Sequence, residues 1–320
     1  MDEDYVVWRW LDTSSLPTKF HLAKFQLSTG IQEELLFEEY PEDIVYPTIY
    51  GETVFFNREA GGNDIYRIGL IETEETQLTE SNNNFEPIGG EVYVVYSYSA
   101  SSSDEGIRAY NMETDSEMTL MDSAAILSKA FDGTRWVAAY VVEGSQHLYK
   151  YDLEHPELGQ QVLDDTDVGS WRIAFNEETH ELVGSYANEG ETQAGDLFLW
   201  NPETNEKSLL LSEPWDQGSP DYSGHLITYI DSQINDEGWF GSYMGELKVI
   251  DRETLVKRVI LPNSQYYGVG VWSHYIAANN VGPWGDVIIA CDLEVMGIVD
   301  ADGHVIPEDT EMDAGVDAGN

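Results

Sequence analysis

Between Val54 and Thr79 the chain reads VFFNREAGGNDIYRIGLIETEETQLT, and this phrase returns in degraded form along the whole sequence. The spacing is about 40 to 50 residues, the period of a propeller blade. Each copy holds an apolar alternating run (b), a turn or loop, a second run ending in an Asx or Glu-Thr turn (c), and a short third run (d). The b runs are Val6 to Leu11, Val54 to Asn57, Val92 to Tyr98, Trp136 to Val142, Leu182 to Tyr186, Leu226 to Ile230 and Tyr275 to Ala278. They are rich in the β-branched and aromatic residues that suit a pleated surface. A further strand, a, precedes b in units two to seven, as at Asp43 to Tyr50 and Tyr267 to Trp272; the first unit lacks it.

Units begin near positions 41, 81, 123, 166, 214 and 264. Four short strands repeating as a set predict an all-β fold, a β-propeller of four-stranded antiparallel blades. Seven blades fit the seven b runs, and six is the alternative if the first unit only completes the last. An open ring leaves blade edges unpaired, so the ring is expected to close by pairing of the N- and C-terminal segments. Residues Gly303 to Glu308 (GHVIPE) are expected to supply the missing innermost strand of blade one, where Pro307 is compatible with an edge position. Residues 1–308 then form one propeller domain. Residues 309–320, acidic and built from small side chains, read as a tail or linker with too little apolar surface to offset ordering.

Unit two resembles the repeat of the TolB-like, or WD40-like Pro-Asp, β-propellers. Asn57, Arg58 and Glu59 fill the loop of that repeat, Ile65 and Tyr66 its strand, and Leu78 and Thr79 its ending. Ser219, Pro220, Asp221, Tyr222, Ser223 and Gly224 give its turn in unit six. The resemblance implies the propeller fold and leans towards a periplasmic, cell-envelope or secreted location. It implies almost nothing about activity, because a repeat specifies a scaffold.

Charge narrows the partners. Sixty acidic residues against fifteen basic ones leave a net charge of −45, which repels phosphate backbones and anionic lipid. Nucleic acid is therefore excluded as a partner. No apolar run is long enough to insert in a membrane as a helix, and a monomer is expected. The spread of acids over every unit fits solubility or adaptation to high salt. Cys291 is the single cysteine, so no disulfide forms within the chain.

Loops that outgrow the repeat are the places to look for function. The b-to-c loops lengthen at Ala187 to Gly195 and Ser232 to Gly245, followed by Asn279 to Gly285. They carry Trp239, Phe240, Tyr243 and Trp284, while Trp215 lies in a d-to-a connection and Trp171 and Tyr266 lie near the starts of a strands. With Arg58 and Arg172 these form the candidate ligand-binding set. Aromatic rings beside carboxylates suit a protein segment or a glycan, so a non-catalytic binding propeller is the leading expectation. A carbohydrate-active lyase or glycoside hydrolase using loop carboxylates is the alternative.

No cofactor is expected. A divalent cation such as calcium would have to use acids such as Asp216, Asp221, Asp236, Glu237 and Asp286, whose spacing fits no calcium loop. The stretch Asp300-Ala301-Asp302-Gly303 reads as a plain turn. Some propellers of related repeat type are manganese-dependent pectin-fragment lyases, and their metal needs several histidines on one face. By this map no three histidines converge, and His225 and His274 fall on the opposite face at a-to-b turns. Peptidase propellers accompany an α/β domain with a Gly-x-Ser-x-Gly elbow. Gly241-Ser242-Tyr243-Met244-Gly245 has the wrong spacing for one, and no residues are left over for such a domain.

Overall fold

Alternating apolar runs become strands where the repeat puts them. The computed structural model describes residues 4–308 apart from 13, 15–16, 18, 40–42, 59–61, 72–73, 82, 102–103, 123–124, 143–145, 165–171, 188–194, 215, 233–242 and 283–284. The strands form seven antiparallel blades in chain order. Blade one is Tyr5–Asp12, Lys19–Gln26 and Ile31–Glu39. Blade two is Ile44–Tyr50, Thr53–Arg58, Asp64–Gly69 and Glu75–Gln77. Blade three follows as Asn84–Gly89, Tyr93–Ser101, Asp104–Asn111 and Ser116–Met121, and blade four as Ala125–Phe131, Trp136–Val142, Gln146–Asp152 and Gln161–Asp164. Blade five is Ile173–Phe175, Leu182–Ala187, Gly195–Trp200 and Lys207–Leu211.

Blades six and seven share one long strand. Asp216–Ser223, Leu226–Ser232 and Tyr243–Asp251 pair with the first half of Lys257–Trp272, whose second half is the innermost strand for Tyr275–Gly282 and Gly285–Asp292. One strand thus serves as d of one blade and a of the next, and it runs through Pro262, Asn263 and Ser264 without a chain reversal.

Large rings fill the space between blades, as the aromatic content predicts. Trp200, Tyr96, Tyr140, Tyr229, Phe55 and Phe56 are fully buried. The buried clusters each join two successive blades: Leu22 with Ile44 and Phe56, Phe55 with Tyr96, Ile107 with Val137, Trp136 with Phe175, Val183 with Tyr229, and Leu247 with Ile276.

Ring closure differs from the expectation. Residues Gly303 to Glu308 do not enter blade one. Asp300 Oδ1 accepts the N–H groups of Asp302 and His304 at 3.0 Å each, which reverses the chain. Val305 then bridges Val299, and Ile306 N–H donates to Ile298 O. The segment is diverted because Val305 N–H and the His304 ring both reach Asp251 in blade six. Blade one is thus described with three strands, and no ladder among the described residues joins it to blade seven. The tail, 309–320, lies outside the described residues.

Candidate functional site

The innermost strands shape the channel through a shared irregularity. In blades two, three and six the ladder slips at Val45/Thr48, Phe85/Ile88 and Gly218/Asp221. At each slip a non-glycine residue with positive φ precedes a proline: Tyr46 (52°) before Pro47, Glu86 (53°) before Pro87, and Ser219 (49°) before Pro220. Proline cannot donate to a ladder, so the extra residue is expelled as a bulge towards the channel. Positive φ in an L-residue is strained and needs surrounding structure to hold it. Three of these dipeptides at equivalent places are the sequence signal that could have located the channel wall.

Two cavities of about 530 Å³ each lie along the channel and share Thr48, Ile88, Lys129, Ile173, Ala174 and Asp221. The upper one opens between Tyr46, Glu86, Leu127 and Arg172. Tyr46 and Leu127 are exposed there, at 52% and 37%. Lys129, whose side chain is 5% exposed, pairs with Glu86 at 3.0 Å. Burial pushes the Lys129 ammonium down from its ordinary value although Glu86 opposes the shift. Asp221 Oδ2 accepts the N–H of Val271 at 2.7 Å, and burial pushes its carboxyl up. The upper cavity thus combines apolar mouth residues with two cations, Lys129 and Arg172, and two carboxylates, Glu86 and Asp221, while Glu177 and Glu178 line the other.

Of the residues singled out from the sequence, Arg172 lines this upper cavity. Arg58 is held between Glu38 and Glu75, with 2.7 Å to Glu38 and 2.6 Å from Nε to Glu75; burial lowers its pKa, but the two carboxylates more than reverse this. Trp171, Trp215, Trp239, Phe240 and Trp284 lie outside the described residues, as do Asp236 and Glu237. Tyr243 and Tyr266 are described as backbone and pair directly across blade six.

A third cavity, of about 460 Å³, lies at the lower end and shares Glu178, Ser223, Gly224 and Trp272 with the channel. His225 and His274 line it with Glu294, Asp300, Asp302 and Gly303. Beside it the His225 and His304 rings lie 4.5 Å apart between centroids, tilted by 34°. His304 Nδ1 lies 2.9 Å from Asp251 Oδ2, and Val305 N–H donates to the same oxygen at 3.2 Å. Asp251 Oδ1 accepts the N–H groups of Glu253 and Thr254. Burial pushes the Asp251 carboxyl up, but the N–H of Thr254, His304 and the N–H groups of Glu253 and Val305 outweigh it and hold it at about 2. Asp251 in turn raises the His304 pKa. His225 Nε2 is buried without a partner, which costs about 1–3 kcal/mol unless a ligand satisfies it.

Two histidines, His225 and His304, meet here with Asp251, so the expectation that no three histidines converge stands beside a mixed cluster that it did not foresee. His225 was rightly placed at an a-to-b turn. His304 was missed because its segment was assigned to blade one, and only the long-range tie to Asp251 brings it back.

No family model matches the sequence, nor does any curated protein. Solved structures do match. A puromycin hydrolase superposes with a TM-score of 0.66 at 11% identity, over 96% of this chain and 52% of that one. The β-propeller domain of the Trilobed protease from Pyrococcus furiosus, which has an open velcro topology, gives 0.66 at 11% identity over 91% and 93%. An oligogalacturonate lyase in complex with manganese gives 0.57 at 10% identity over 81% and 85%. The chain spans about half the length of the peptidases it matches. These likenesses establish the fold; they do not single out the TolB-like family among propellers. They also correct the expectation of a non-catalytic binding propeller, because the propellers that superpose come from peptidases and a lyase.

Proposed function

We propose that this chain is the propeller part of an enzyme acting on short peptides, with the central channel as the route and filter for substrate. The observation that carries the reading is the channel itself. Its two linked cavities have volumes in the range of small-ligand sites and join an exposed Tyr46 and Leu127 at the mouth to a Lys129–Glu86 pair and Asp221 within. Apolar contacts at the entrance suit peptide side chains, and charges of both signs inside suit the two termini of a short chain. The innermost strands border the channel as sheet edges, whose free backbone groups can pair with an extended peptide. The coverage of about half of several peptidases agrees with this division of labour.

The test is hydrolysis of a ladder of peptides by the full-length gene product, with and without Leu127→Trp. Narrowing the mouth should depress turnover of the longer peptides by about tenfold and leave aminoacyl aryl amides unchanged. Equal effects on long and short substrates, or no turnover of any peptide, would overturn the reading.

A further inference from the structure

We propose that His225, Asp251 and His304 bind a divalent transition-metal ion of the zinc class at the lower end of the channel, fastening the hairpin that follows blade seven onto blade six. One donor atom from each of the three side chains lies within 4.8 Å of the other two. Donors about 2.1 Å from a tetrahedral ion stand about 3.4 Å apart, so the trio has to contract by about 1.4 Å at most. Two imidazoles with one carboxylate suit zinc, cobalt or nickel rather than calcium or magnesium, which are held by oxygen donors.

Three further features point to a ligand. His225 Nε2 is buried with no hydrogen-bond partner, although the ring packs against His304 at a tilt of 34°. An ion pair between His304 and Asp251 alone leaves that nitrogen unused. Gly303, at φ +86°, keeps the space beside it open: a Cβ there would stand 3.2 Å from Cε1 and 3.4 Å from Nε2 of His225. Asp251 is also fixed in advance, because the N–H groups of Glu253 and Thr254 hold Oδ1 while Oδ2 faces His304.

The neighbouring cavity leaves room for a water as a fourth ligand. Its carboxylates Glu178, Glu294, Asp300 and Asp302 raise the local concentration of cations. The site stands independently of what passes through the channel.

Cobalt tests it directly, since four-coordinate cobalt absorbs strongly in the visible region and cobalt on surface carboxylates does not. The full chain, made without a histidine tag and stripped with chelator, is titrated with cobalt and then zinc in excess magnesium, which occupies the scattered acids. One ion per chain with the four-coordinate spectrum is expected. His304→Ala and His225→Gln should each weaken binding by at least about tenfold, while His155→Gln, on an exposed turn, leaves it unchanged. Circular dichroism checks that both variants fold, and either one that folds decides. Failure to bind cobalt in the presence of magnesium, or binding that survives in a folded His304→Ala or His225→Gln variant, overturns the proposal.

Discussion

Asp221 is a residue whose charge is poorly accommodated. It lines both channel cavities, and burial raises its carboxyl pKa even though it accepts the Val271 N–H and feels Arg172. For an acid whose folded pKa lies above its unfolded one, the folded state holds the proton more tightly within that window. Stability therefore falls as pH rises through the window, and at neutral pH the ionised group is a standing cost. Asp221→Asn retains an oxygen for Val271 and removes the charge, so its midpoint of thermal unfolding should exceed that of the wild type at pH 7. The difference should vanish below the ordinary carboxyl range, which calorimetry across pH will check. Asp132 instead organises a turn through hydrogen bonds. Its Oδ1 accepts the N–H groups of Thr134, Arg135 and Trp136 at 2.7–2.9 Å. Asp132→Ala leaves these donors partly unmet and should cost about 2–3 kcal/mol in urea unfolding.

The turns between c and d strands repeat one device. Asn111, Asn201 and Asp251 each accept the N–H groups two and three residues on, and the fifth residue of each turn has positive φ: Asp115 (53°), Asn205 (60°) and Leu255 (58°). Asn and Asp visit this region readily, whereas leucine is strained there. Leu255 is 57% exposed, so Leu255→Asn should gain about 1 kcal/mol, seen as a shift in urea midpoint without a change in slope. These turns were legible in the sequence, because Asx and Glu-Thr signals act over a few residues, as does the alternation that marked the b strands. The innermost bulges at Tyr46 and Glu86 are written there too, as X-Pro dipeptides, and Ser219-Pro220, which reads as part of a turn, is a bulge within a strand of the same kind. His304 with Asp251 was beyond local reasoning. Asp300 to Gly303 announces a turn, and only packing decides that the turn delivers His304 to blade six instead of sending the chain to blade one. The aromatic loops stood out by length alone, a signal that says where to look and nothing about what the side chains contact.

Two features of the whole ring set its stability. The buried clusters among the described residues join successive blades from one to seven, and no ladder joins seven to one. Among the described residues the buried cluster that holds blade one is the one shared with blade two, and the amides of blade one should exchange with solvent at least about tenfold faster than those of blades three to five in native-state hydrogen exchange. Equal protection around the ring would show that the first and last blades are joined as firmly as the others. The second feature is charge. Ten of the fifteen basic side chains pair with carboxylates among the described residues, as Arg135 does with Asp152 and Lys207 with Asp164. The net charge of −45 therefore sits mainly on acids that share few cations. Salt shortens the reach of their repulsion from about 10 Å at 0.1 M to about 3 Å at 1 M, while it weakens exposed pairs worth at most about 1 kcal/mol each. Repulsion wins by number, so the unfolding midpoint should climb by at least about 5 °C from low salt to molar potassium chloride. A flat or falling midpoint in calorimetry would mean that the acids are compensated locally and that the excess charge serves solubility alone.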